Sequence, residues 1–327
     1  MVPAPEQLKP DEHIASQADL LNPAEDSFEH WMARPHDAFL GFLARHAALG
    51  SPLNPSSVRI YAGMFDRLCA FLDAQGRGLM TLDEAFLERF LASRKLSEQT
   101  RHRYLLLFTA LYRHLQAIEA AHANPPVALL RSAERPERLS PEALLPLEVQ
   151  ALLRQAVPAK TWKHRRNACM FLTFLGAGLR VQELLGLTPD ALENADCKTL
   201  IVPGARASRR AAVLDWAQPA LKAWCAERER LAIPGRLVFP ANERGEPLSP
   251  ATVFRQARAR LEAAGIARRY EGPTLLRNTY GAVMLATQGL DAAQAMLGHE
   301  TAETTLTLLS AARIWEAEQK KRAGAQN

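Results

Sequence analysis

The chain has 327 residues, of which 48% are hydrophobic and 7% aromatic, with a formal net charge of +5. That length supports two ordinary domains, each with a core of its own. No apolar run is long enough to span a membrane and no signal-type apolar core opens the sequence, so the expectation is a cytoplasmic protein and not a membrane or secreted one.

Residues 1–27 hold six acids and one base, a net of −5, and read as a mobile acidic tail. The remaining residues then carry +10, an excess that fits a polyanionic partner. A helical pattern opens at Ser27 with Phe28 and Trp31, followed by Phe39, Phe42 and Leu43. Next, Val58, Tyr61, Met64, Phe65, Leu68 and Phe71 recur at three- and four-residue steps, which predicts a second helical stretch ending at Gly76. Thr81-Leu82-Asp83-Glu84 looks like a capped start for a short helix through Phe90 and Leu91. Ser97 caps a long helix carrying Tyr104, Leu105, Phe108, Leu111, Tyr112 and Leu115, and Asn124-Pro125-Pro126 stops it. Residues 131–146, rich in Arg, Glu and Pro, read as an interdomain linker.

Beyond the linker, helices are expected at about 148–156, 164–176, 217–231, 249–264, 275–288, 291–297 and 302–320. Two short strands, Thr199–Val202 and Ala211–Leu214, flank the turn Pro203–Arg210. Cys69, Cys169, Cys197 and Cys225 form no C-x-x-C pair and share no ligand spacing with the nine histidines. Reduced thiols are expected, with no metal site and no cofactor.

The chemistry-bearing stretch is Gly176-Ala177-Gly178-Leu179-Arg180-Val181-Gln182-Glu183-Leu184-Leu185-Gly186-Leu187. An arginine behind two glycines can sit where a helix ends and turn its guanidinium fork to two phosphate oxygens at once. Taken alone, this box is equally an ordinary helix junction with Arg180 in a surface ion pair. Downstream come Pro273-Thr274-Leu275-Leu276-Arg277-Asn278, then Leu297-Gly298-His299, then Thr304-Thr305-Leu306-Thr307-Leu308.

These runs resemble the tyrosine-recombinase (phage integrase) family. That family carries a T-G-L-R-x-x-E-L box, an H-x-L-R-H box, an L-G-H box and a nucleophilic tyrosine nine residues beyond the last histidine. The resemblance implies a phosphate grip made by Arg180, Arg277 and His299. It also implies departures. Nine residues beyond His299 stands Leu308, and Tyr280 is the last tyrosine of the chain. Thr274 replaces the first histidine and Asn278 the second. Ala205 stands where the hairpin lysine, the family's general acid, is expected, and the nearby Arg206 is a poor proton donor at neutral pH.

The implied fold is mainly α, a two-domain clamp on duplex DNA. Residues 28–130 would form a helical core-DNA-binding domain (SAM-like), and 147–327 a larger helical catalytic-type domain with a small β-hairpin. Arg59, Thr100, Arg101, Arg103, Lys163, Arg165, Arg166, Arg206, Arg209 and Arg210 are the candidate DNA contacts. The implied function is DNA binding without cleavage, as an accessory, regulatory or architectural factor in recombination or in integration of a mobile element. The partner would be duplex DNA, with a second copy or an active recombinase beside it, and the location the cytoplasm, on the nucleoid when bound. Two alternatives stay open: an active recombinase with a non-standard or partner-supplied nucleophile, and a protein-interaction scaffold that does not bind DNA.

Overall fold

A computed structural model describes residues 26–48, 53, 55–118, 121, 123–133, 140–155, 160–193, 196–204, 207–269 and 271–324. The chain divides into two compact units, Met1–Arg138 and Leu139–Asn327.

The first unit is helical throughout its described residues: α1 (Phe28–Ala33), α2 (Pro35–Ala48), α3 (Pro55–Asp73), α4 (Glu84–Ser93), α5 (Glu98–Ala117) and α6 (Pro125–Ser132). Its helix starts follow the expected capping chemistry. Asp83 accepts from the Phe86 N–H at 2.7 Å and Ser97 from the Thr100 N–H at 3.3 Å. Trp31, Phe39, Phe42, Phe65, Phe90, Phe108 and Tyr112 fill the core. Asp26 does not belong to a free tail. It accepts from the Trp31 indole at 3.0 Å and lies 2.9 Å from Arg45 and 3.0 Å from His114. Those three partners hold its carboxyl below the usual range against the opposing effect of burial.

The second unit contains α7 (Pro146–Arg154), α8 (Trp162–Ala177), α9 (Val181–Leu185), β1 (Thr199–Val202), β2 (Arg209–Ala212), α10 (Gln218–Arg230), α11 (Pro250–Ala263), α12 (Pro273–Gln288), α13 (Leu290–Leu297), α14 (Ala302–Leu306) and α15 (Leu309–Gly324). Helix α12 is central and packs against α8, α13 and α15. It needs to be apolar on several sides, and Leu275, Leu276, Tyr280, Ala282, Val283 and Met284 are all buried. The expected linker overlaps this unit. Leu144 is buried, and its N–H donates to the Thr279 hydroxyl at 2.9 Å.

The hairpin departs from expectation in register. Its second strand is Arg209–Ala212, antiparallel to β1 with Val202 opposite Arg209. The turn is therefore shorter than the sequence suggests, and Arg209 and Arg210 are strand residues that face opposite sides. Arg210 is exposed and pairs with Glu193 at 2.5 Å, while Arg209 points inward.

Helix α15 packs on α12 and α7 of its own unit. Leu308 and Ala312 are buried and Trp315 packs against the cluster that holds Leu308, whereas Leu306 is exposed.

Candidate functional site

The two glycines that frame the site are required by geometry. Gly178 ends α8 at φ +60°, and a Cβ there would lie 2.3 Å from the Tyr280 ring. Gly298 ends α13 at φ +63°, and its Cβ would lie 2.7 Å from Arg209 Cδ. Both positions combine a left-handed backbone with close side-chain approach, which only glycine tolerates.

Three arginines converge on the C-terminal end of α13. Arg209 Nε donates to the Met296 carbonyl at 2.9 Å, Arg277 Nη2 to the Leu297 carbonyl at 2.7 Å, and Arg180 Nη2 to the Gly298 carbonyl at 3.0 Å. Three consecutive carbonyls thus each take a different guanidinium, at the helix end where cations are favoured. Arg277 also donates Nη1 to the Gly178 carbonyl at 2.5 Å, tying the end of α8 to the end of α13.

Glu183 sits among the same arginines. It reaches back to the Arg180 N–H at 2.6 Å and accepts from Arg180 Nη1 at 2.8 Å. Arg209 grips both carboxylate oxygens, at 2.6 and 2.8 Å, and Arg277 lies at 4.0 Å. Burial works against ionisation of Glu183. The Arg209 fork and the Arg180 N–H overcome it and hold the carboxyl down at about 2. Burial, with the Arg180 charge adding to it, lowers Arg277 to about 10, which still leaves it cationic at neutral pH.

His299 stands beside this cluster. Its Nδ1 lies 2.9 Å from the Thr305 hydroxyl. Burial, then the charges of Arg277, Arg180 and Arg209, lower its pKa to about 4. The ring is neutral at pH 7. In the tautomer in which Thr305 donates to Nδ1, the ring proton sits on Nε2, and that nitrogen can donate to an anion.

Two acid-side losses of stability follow. The folded His299 pKa lies below its ordinary 6.5, so the unfolded chain takes up the proton first. The contribution of neutral His299 is complete above pH 6.5 and is lost as pH falls towards about 4. Glu183, lowered from 4.5 to about 2, loses its contribution across that lower window. Urea unfolding at stepped pH should show declining stability in both windows, and His299→Gln should flatten the upper one.

The positions at which the sequence departs from the family's motifs have surroundings of their own. Leu308 is buried in an apolar cluster with Tyr280, Val283, Met284, Ala293 and Leu297. Thr274 is exposed in the first turn of α12, and Asn278 donates to the Glu142 carbonyl at 3.1 Å. Tyr280 is no substitute nucleophile, because it is buried and its hydroxyl donates to the Ala212 carbonyl at 2.8 Å. Thr305 is fully buried against His299. Ala205, Arg206 and Tyr270 lie outside the described residues.

The expected DNA contacts divide. Arg166 requires correction: it is 4% exposed and donates to the Pro240 carbonyl at 2.5 Å and the Ala241 carbonyl at 2.9 Å. It holds the fold of the second unit and presents no charge outward. Arg209 is likewise turned inward, onto Glu183. Arg165 is engaged bidentately by Glu227, and Arg101 by Glu88 at 2.7 and 3.1 Å. Arg59, Arg103 and Lys163 are exposed, and Thr100 is half-buried beside its cap Ser97. Sequence reasoning missed a role for Glu183 and the inward direction of Arg209. Among the described residues no group of three His, Cys, Asp or Glu converges to hold a metal ion, and no helix is long and apolar enough to cross a membrane.

Two arginines and an L-G-H histidine gathered at one helix end of a helical unit are the arrangement that the resemblance to the tyrosine-recombinase family implies. Residues 142–309 match the model of the phage integrase family, and the chain belongs to that family. It is 29% identical over 278 residues to tyrosine recombinase XerD of Caulobacter vibrioides, covering 82% of this chain and 89% of that one. To tyrosine recombinase XerC of Xylella fastidiosa it is 28% identical over 281 residues, covering 84% and 91%. Among solved structures, the fold matches the XerH site-specific recombinase bound to palindromic difH substrate, with TM-score 0.65, 18% identity and coverage of 94% and 92%. It also matches the Tn1549 transposon integrase in complex with a circular intermediate DNA, with TM-score 0.62, 16% identity and coverage of 82% and 93%.

Proposed function

We propose that this chain binds duplex DNA through its phosphates and does not cut it, acting as an accessory, regulatory or architectural factor in recombination or in integration of a mobile element. One observation carries the reading: Arg180 and Arg277 converge on the end of α13 beside His299, while Leu308, nine residues beyond that histidine, is buried in an apolar cluster. A guanidinium pair and a neutral imidazole donor suit a phosphodiester in its ground state. Without a hydroxyl at Leu308 no phosphotyrosyl bond can form. Exposed Arg59, Arg103 and Lys163 would add backbone contacts without sequence information. The XerH and Tn1549 relatives in complex with DNA support duplex DNA as the partner.

The test has two arms. Binding of the full chain to duplexes carrying the DNA that flanks its gene, measured across salt, should weaken steeply as salt rises. A nicked suicide substrate should leave no covalent protein–DNA adduct on a denaturing gel. An adduct would reveal a working nucleophile, its own or a partner copy's. Absence of binding at low salt would leave only the interaction-scaffold reading.

A further inference from the structure

The inward arginine of the hairpin has no counterpart among the matched motifs. Strand alternation turns Arg209 towards α13, where its side chain is 10% exposed. It makes three hydrogen bonds, two to Glu183 and one to the Met296 carbonyl. Arg180 and Arg277 each donate two through their side chains. A guanidinium has five N–H donors, so of the three Arg209 has the fewest left for a ligand. Arg180, at 50% exposure, is the one most open to solvent.

Glu183 is the competitor of any phosphate here. It is an anion already among the cations that an incoming phosphodiester would need. Without Arg209, its oxygens would turn fully to Arg180 and Arg277, which already lie at 2.8 and 4.0 Å. We propose that Arg209 is a positioning residue of the phosphate site: its fork occupies Glu183 and so leaves the charge of Arg180 and Arg277 available to phosphate. Its Nε also fixes the carbonyl end of α13, two residues before the His299 segment begins to turn. Lysine could not replace it, because a point charge cannot span Oε1, Oε2 and a backbone carbonyl together. The hairpin thus still supplies a cation to the site, from its second strand and not from the turn position held by Ala205. This inference rests on the reading of the site as one that binds phosphate.

The test uses the full chain in four variants: R209Q, E183Q, R209Q/E183Q and R180Q. Each is measured for duplex affinity at several salt concentrations and for its urea midpoint. R209Q should weaken binding about tenfold, the scale of one lost charge-assisted contact. The double variant should recover most of that loss, because neutralising Glu183 removes the competing anion. E183Q alone should bind at least as tightly as the unaltered chain. A role in folding alone predicts that affinity and urea midpoint fall and recover together, because E183Q also relieves the buried carboxylate that R209Q leaves unpaired; the proposal predicts the affinity loss and its rescue under conditions where every variant is folded. If R209Q fails to fold, R209K keeps the charge without the fork and should show a smaller loss, again rescued by E183Q.

A second readout needs no DNA. The His299 ring, followed by NMR titration, should move to higher pKa in R209Q, because one of three cations acting on it has gone. Failure of the unaltered chain to bind any duplex, or full affinity in R180Q, would defeat the phosphate reading and this inference with it. Binding that R180Q weakens, but that E183Q does not rescue in the R209Q background, would overturn the inference alone.

Discussion

Arg277→Ala should unfold at clearly lower urea concentration than the unaltered chain and lose most of its duplex affinity, whereas Arg180→Ala should lose affinity with little change in stability. The two arginines differ in the structural load they carry. Arg277 is 13% exposed and bridges the carbonyls of Gly178 and Leu297, which end two different helices. Truncation orphans both carbonyls and opens a void beneath α13. At about 1–3 kcal/mol for each buried polar group left unpaired, this is among the costliest single changes in the site. Arg180 is half-exposed, and an ion pair in that setting is worth about 0–1 kcal/mol. Paired urea titrations and salt-dependent binding curves separate the two effects. Equal midpoints for the two variants would rule out the clamp between α8 and α13.

Much of this was legible in the sequence. Periodic apolar residues mark α3, α5, α8 and α12, and the order of the arginine, L-G-H and tyrosine positions marks the site. What escaped has physical causes. Strand interiors are normally apolar, so the sequence pattern leaves Arg209 in the turn, and only the register of β1 against β2 shows that it faces a carboxylate. Glu183 matches the glutamate of the family's arginine box, but its partner Arg209 is 26 residues away and meets it only through the hairpin, so the pairing is not legible. Arg166 lies in Lys163-His164-Arg165-Arg166, four successive polar residues on a helix. At 3.6 residues per turn such a run covers most of the circumference, so one member must face the core. The stripe Trp162, Arg166, Cys169, Met170 and Thr173 identifies which one.

Leu308→Tyr by itself should yield no covalent adduct with a nicked suicide substrate, and its urea midpoint should fall. Leu308 is 3% exposed, and its Cδ1 lies 2.6 Å from where a Cβ on Gly281 would be. The space that a phenol would enter is lined by Tyr280, Val283, Met284, Ala293 and Leu297. Overpacking of that kind costs about 1–3 kcal/mol, and a hydroxyl buried there without a partner adds to it. A tyrosine that did swing out to the phosphate would still lack a general acid for the leaving 5′ oxygen. A positioned acid contributes about 10²–10⁴-fold, and Ala205 has no proton to give. Thr274, exposed at the start of α12, offers no imidazole in place of the missing first histidine. The smallest change from which an adduct is expected is therefore L308Y/A205K/T274H, which places nucleophile, acid and histidine at the family's positions in a chain that keeps Arg180 and Arg277. Strong adduct formation by L308Y alone would mean that another group in this chain protonates the leaving oxygen.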